Sequence, residues 1–142
     1  PVNVLEEYFK DGKPILYKTR YDVIADPNFP WRPITAKAVG FDVEWEYMRR
    51  LPLVYWRDDV KAAQEHIEAV HGTSLRAYLR AQPFRKFSEF NAIGAWIDRF
   101  NPDAYEIIDT ETHPMPKNKL AQFWSWGGIT EEVQRLINAA LK

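Results

Sequence analysis

The stretch Phe87–Asn101, FSEFNAIGAWIDRFN, decides how the rest of the chain is read. Phe87, Phe90, Ile93, Ala95, Trp96, Ile97 and Phe100 recur mostly three or four apart, the spacing of an amphipathic helix. Ser88 stands where an N-cap belongs, its hydroxyl able to accept from a free backbone N–H one turn on. Ser88, Glu89 and Asn91 crowd into the first turn, beside a broad apolar stripe. Two readings are open. A plain capped helix uses Glu89 to complement the positive end of its dipole. A helix whose first turn faces a cleft presents a partly desolvated carboxylate, suited to general-base work.

Working downstream, Asn101-Pro102 ends the helix and Ala104–Ile108 reads as a short strand. Asp109–Lys117 follows as a polar loop of about nine residues, longer than most connections and so a candidate carrier of function. Lys119–Trp126 begins as a helix and stops at Gly127-Gly128. Thr130 caps a final helix to Leu141, with Val133, Leu136, Ile137, Ala140 and Leu141 as its apolar stripe.

Upstream, Asp58 or Asp59 is expected to cap a helix through His71, with Val60, Ala63, Ile67 and Val70 inward. Gly72 stops it, and Thr73 or Ser74 caps a second helix, Leu75–Ala81. Val43–Tyr55 is aromatic and β-branched and predicts one or two strands broken by Pro52. There Val43, Trp45 and Tyr47 alternate with Glu44 and Glu46, the pattern of a half-exposed strand. The segment from Ala25 to Pro33 holds three prolines and leads, through Pro33 in a first turn, into a short helix Ile34–Gly40. Asp11-Gly12 turns a strand Val4–Phe9 into Pro14–Thr19. The sum is an α+β domain of about five helices with a few short strands in a small mixed sheet.

The bulk properties set limits. The chain has 142 residues, enough for one domain with a core of its own. With 46% hydrophobic and 15% aromatic residues it belongs with globular chains, not disordered ones. Its 19 basic and 20 acidic residues nearly cancel, which leaves no electrostatic case for nucleic-acid binding. It contains no Cys, so disulfides, thiolate metal sites and a Cys nucleophile are excluded. No apolar run approaches the ~18 residues of a membrane span. The early charges of the N-terminal stretch do not resemble a signal peptide, and a cytoplasmic protein is the default.

Three constellations could carry chemistry. The first is Glu89 with Asn91. The second is Asp109-Thr110-Glu111-Thr112-His113, whose carboxylates and imidazole suit a divalent cation such as Mn²⁺ or Mg²⁺. The third is Lys117-Asn118-Lys119 with Phe123–Gly128. There lysines could attract phosphates, Trp124 and Trp126 could stack, and the glycines permit close backbone approach. Ordinary alternatives stand beside each: a solvated acidic loop, and a charge pair before a buried aromatic turn. His66 and His71, five apart, read as surface residues. Arg49, Arg50 and Arg57 flank Leu51–Tyr55 and suit either ion pairs or an anionic ligand. Phosphate loops, nucleophile elbows and H-E-x-x-H motifs are missing.

Taken together, GKPILYKT, WRPITAKAVGFDVEWEYMRRLPLVYWRDDVKAAQEHIE, FSEFNAIGAW and QFWSWGGIT resemble the C-terminal half of GT-A-type nucleotide-sugar glycosyltransferases, within a bacterial and viral glycosyltransferase-like group. The resemblance runs from about Gly12 to Thr130. It implies that Glu89 acts as base on an acceptor hydroxyl and that His113 completes a metal shell, to which the loop chemistry above adds Asp109. Leu51–Tyr55 with Arg57 would line the acceptor side; Asn91, Lys119, Trp124 and Trp126, from the first and third constellations, are the further candidates for substrate contact. The family's Asp-x-Asp motif, which holds metal and diphosphate, has no counterpart here. The expectation is therefore an acceptor-side half, transferring sugar from a nucleotide-sugar to a hydroxyl acceptor with a separate N-terminal half as partner. A non-catalytic binding or assembly protein, such as a small viral component, is the alternative.

Overall fold

In the computed structural model, residues 4–24, 31–49, 51–83, 86–116 and 130–140 are described. One strand, β2 (Lys13–Arg20), is paired with every other strand. β1 (Phe9–Lys10) runs antiparallel to it, with Phe9 opposite Pro14 and Lys10 opposite Lys13. The two residues between them, Asp11 and Gly12, have φ of 51° and 78°. A two-residue hairpin needs φ > 0 at both positions, because that twist matches the strands it joins. β3 (Trp45–Glu46) pairs antiparallel with Thr19 and Arg20. β4 (Glu106–Asp109) pairs parallel with Ile15–Lys18, so the sheet is mixed. Among the described residues, the crossover between β2 and β4 carries four helices: α1 (Trp31–Val39), α2 (Arg57–His71), α3 (Leu75–Ala81) and α4 (Glu89–Phe100). Another described helix, α5 (Glu131–Ala140), comes after β4 in the chain, and the architecture is α+β.

α4 packs against α1, α2 and β3 and forms the middle of the core. Ala92, Ala95 and Ile97 from α4 are buried with Leu16, Ala38, Val39, Val43, Tyr47, Ile67, Tyr78 and Tyr105. Its start is as expected: the Ser88 hydroxyl accepts from the Asn91 N–H at 3.4 Å. Gly72 ends α2 in the left-handed region, and the Ser74 hydroxyl caps α3 by accepting from the Ala77 N–H. Thr130 caps α5 in the same way through the Val133 N–H. Among the described residues, no helix is long and apolar enough to cross a membrane.

Several local expectations are corrected. Val4–Tyr8 is a 3-10 helix and only Phe9–Lys10 is strand. The adjacent Glu6 and Glu7 break the two-residue alternation, so no single face is available to bury. α1 begins at Trp31, three residues early, with Pro33 still inside its first turn. Leu51–Tyr55 is not a strand; the Tyr8 hydroxyl donates to the Leu51 carbonyl and Tyr55 to the Phe90 carbonyl in place of a ladder. Glu46 does not face out. It is 2% exposed and ion-paired with Arg49, because β3 is only two residues long and is covered by helices.

α2 differs in two ways. Its N-cap is Trp56, without a side-chain cap, and Asp59 turns inward instead. The Asp59 carboxylate accepts from the Tyr105 hydroxyl and from Asn101 Nδ2, each at 2.8 Å. Ala63 and Ile67 are buried, but Val60 and Val70 are exposed, since the covered stripe is narrower than the apolar one. His66 and His71 are not free surface residues. Their Nε2–H groups donate to the Val39 and Ala38 carbonyls, filling acceptors that the end of α1 leaves open.

Candidate functional site

Tyr47 lies along α4 and is held at three heights by one face of that helix. The Tyr47 N–H donates to Asn91 Oδ1 at 2.8 Å, and its hydroxyl donates to Asp98 Oδ2 at 2.8 Å. Between them is Gly94, where a Cβ would stand 2.4 Å from Tyr47 Cβ and Cγ. Positions 91, 94 and 98 fall on one helical face, so a single register delivers amide, gap and carboxylate to the same side chain. Burial, and then the charge of Asp98, push the Tyr47 hydroxyl far above the usual tyrosine range. It stays protonated and serves as a donor.

Asp98 also receives Lys18 Nζ, at 2.8 and 3.1 Å from its two oxygens. The same ammonium sits 4.5 Å from the centroid of the Trp45 ring, combining an ion pair with a cation–π contact. Lys18 is on β2, Trp45 on β3 and Asp98 on α4, so the cluster ties sheet to helix. Beside it opens a cavity of about 260 Å³. Phe41, Trp45 and Tyr47 give it aromatic walls, and Asp42, Glu44, Asp98 and Arg99 give it charge. The Arg99 guanidinium carbon lies over the Phe41 ring, 4.6 Å from its centroid. Three rings and a few placed charges around a small concavity are the ingredients of a ligand site. Asp98, already accepting from two donors, is placed to hold its neighbours in position.

The residues singled out from sequence do not gather here. Glu89 is the exposed first residue of α4, nine residues before Asp98 and so about 13 Å further along the axis. It stands at the mouth of a second, apolar cavity of about 130 Å³ lined by Val60, Ile67, Leu75, Leu79, Phe87 and Ile93. Asn91 is wholly buried and spends its carbonyl on the Tyr47 backbone. Arg57 is exposed at the start of α2 and lines neither cavity. Asp109 closes β4 and accepts from the Glu111 N–H, and the His113 ring pairs with the Thr112 hydroxyl. Among the described residues, no three His, Asp or Glu side chains gather as they would around a metal ion. Lys119, Trp124 and Trp126 lie outside the described residues.

Sequence reasoning passed over Asp98, Lys18, Trp45 and Tyr47. One signal was available: Asn91 and Asp98 are polar residues seven apart on the apolar face of a helix, with Gly94 between them. A polar residue on such a face needs a partner, and here all three positions meet one tyrosine. No protein-family model matches this chain, and no curated protein or solved structure does either.

Proposed function

We propose that this chain is a non-catalytic binding module whose ligand is a small polar molecule held in the cavity between Trp45, Phe41 and Arg99. The observation that carries the reading is the combination of aromatic walls with charged groups on a 260 Å³ concavity. The half-buried Asp98 carboxylate on its wall is engaged by Lys18 and Tyr47, an arrangement suited to fixed geometry and not to proton transfer. Nucleic acid is a poor partner for a chain of formal net charge −1. A ligand-observed NMR screen with monosaccharides, amino acids and nucleotides tests the proposal. At least one class is expected to bind the native chain and to lose binding in Trp45→Ala. Absence of binding by every class, or binding indifferent to that substitution, contradicts it.

The second reading keeps glycosyl transfer, with Glu89 as base toward an acceptor hydroxyl and any Mn²⁺ or Mg²⁺ held toward Asp109 and His113. It is favoured by the exposed position of Glu89 at the mouth of the apolar cavity. The test is transfer from a nucleotide-sugar, with Glu89→Gln lowering the rate by ~10²–10⁴-fold. A Glu89→Gln protein with full turnover removes this reading.

A further inference from the structure

The charges around the Trp45 cavity are not equivalent. Asp98 is matched by Lys18 and the Tyr47 hydroxyl. Asp42 is matched by Arg32 and accepts from the Val43 N–H. Two charged groups on the lining remain without an ion-pair or hydrogen-bond partner among the described residues: the Glu44 carboxylate and the Arg99 guanidinium. They are of opposite sign, both exposed, and do not bridge each other. The Arg99 guanidinium lies over the Phe41 ring and its N–H donors have no hydrogen-bond partner among the described residues, so they are available to a carboxylate, which a guanidinium fork matches. Glu44, acceptor-only when ionised, is complementary to an ammonium. The rings of Phe41 and Trp45 supply the apolar contact.

Resting on the binding reading above, we infer that the cavity selects a zwitterion of the amino-acid type. Its ammonium is received by Glu44, its carboxylate by Arg99, and its side chain by the Phe41 and Trp45 rings. A ligand with one charge leaves the other protein charge uncompensated, while a zwitterion matches both and leaves the net charge unchanged.

Calorimetric titration with three matched probes tests this. Leucine carries both charges, 3-methylbutylamine lacks the carboxylate, and 4-methylpentanoate lacks the amine. Leucine is expected to bind at least roughly tenfold more tightly than either analogue, because each charged hydrogen bond is worth that much or more. Glu44→Gln and Arg99→Gln should each bring leucine down to the level of the analogue lacking the matching charge. Arg99→Lys, which keeps the charge but loses the flat fork, should retain more binding than Arg99→Gln. Equal affinity for all three probes, or leucine binding unchanged in both Gln variants, overturns the inference. If glucose binds in a Trp45-dependent way and leucine does not, the zwitterion is wrong and the binding module stands. If neither those probes nor any class in the screen binds, both fail.

Discussion

The outer and inner faces of α4 treat their polar residues in opposite ways. At the first turn Glu89 is exposed beside an apolar cavity and its carboxylate takes no hydrogen-bond partner among the described residues, while the Ser88 hydroxyl closes the helix end. From Asn91 to Asp98 the polar groups turn inward, and each is matched to one part of Tyr47. The exposed end can change with little consequence for folding. The inward face fixes β3 against the helix and thereby shapes the cavity beside Trp45. A polar residue's meaning is set by which side of the helix it occupies, more than by its chemistry.

The sharpest way to break this contrast is Gly94→Ala. The added methyl would stand 2.4 Å from Tyr47 atoms that are pinned at both the backbone and the hydroxyl. A loss of ~3 kcal/mol or more is expected in urea melts, outweighing the ~1 kcal/mol that alanine gains as a helix former. Little or no loss of stability would mean that Tyr47 is not held against the helix. Asn91→Ala comes next, at ~2–3 kcal/mol, since it strands a buried N–H and empties a wholly buried site.

Four tyrosines add a pH dependence. Burial pushes the Tyr21 hydroxyl up to about 12 and those of Tyr47, Tyr55 and Tyr105 well above their ordinary range. The unfolded chain releases those protons near pH 10 while the folded one keeps them. Their contribution is therefore complete below about pH 10 and is lost as pH rises through and above 12. Denaturation midpoints measured from pH 8 to 12 should be flat at first and then fall, and tyrosinate absorbance should appear with unfolding. Absorbance that rises well before unfolding contradicts the burial.

At the first turn the effects shrink. Ser88→Ala should cost ~1 kcal/mol, the usual value of an N-cap. Glu89→Gln should cost less than ~1 kcal/mol, as a dipole contribution at an exposed site. A Glu89→Gln loss larger than that of Asn91→Ala, in the same melts, would invert the comparison.

The helices were largely legible because each signal was local. Ser88, Ser74, Thr130 and Gly72 cap or stop helices by chemistry confined to a few neighbouring residues. The Asp11-Gly12 turn was legible for the same reason. What failed depended on distant partners. Glu46 looked outward by alternation and is buried with Arg49, while Asp59 looked like a cap and is taken by Asn101 and Tyr105. His66 and His71 looked superficial until α1 placed its last carbonyls against them. The cluster beside the cavity draws on β2, β3 and α4, with Lys18 and Asp98 80 positions apart. No local pattern brings those side chains together.

The most direct test of the Tyr47 face as the binding face of α4 is a two-dimensional amide NMR titration of the native chain with leucine. Shifts should concentrate at Phe41–Tyr47 and Ala95–Arg99, while Val60–Ile67, Leu75–Leu79 and Glu89 stay still. Shifts centred on Glu89 and the apolar cavity, with the Trp45 side unmoved, would contradict it.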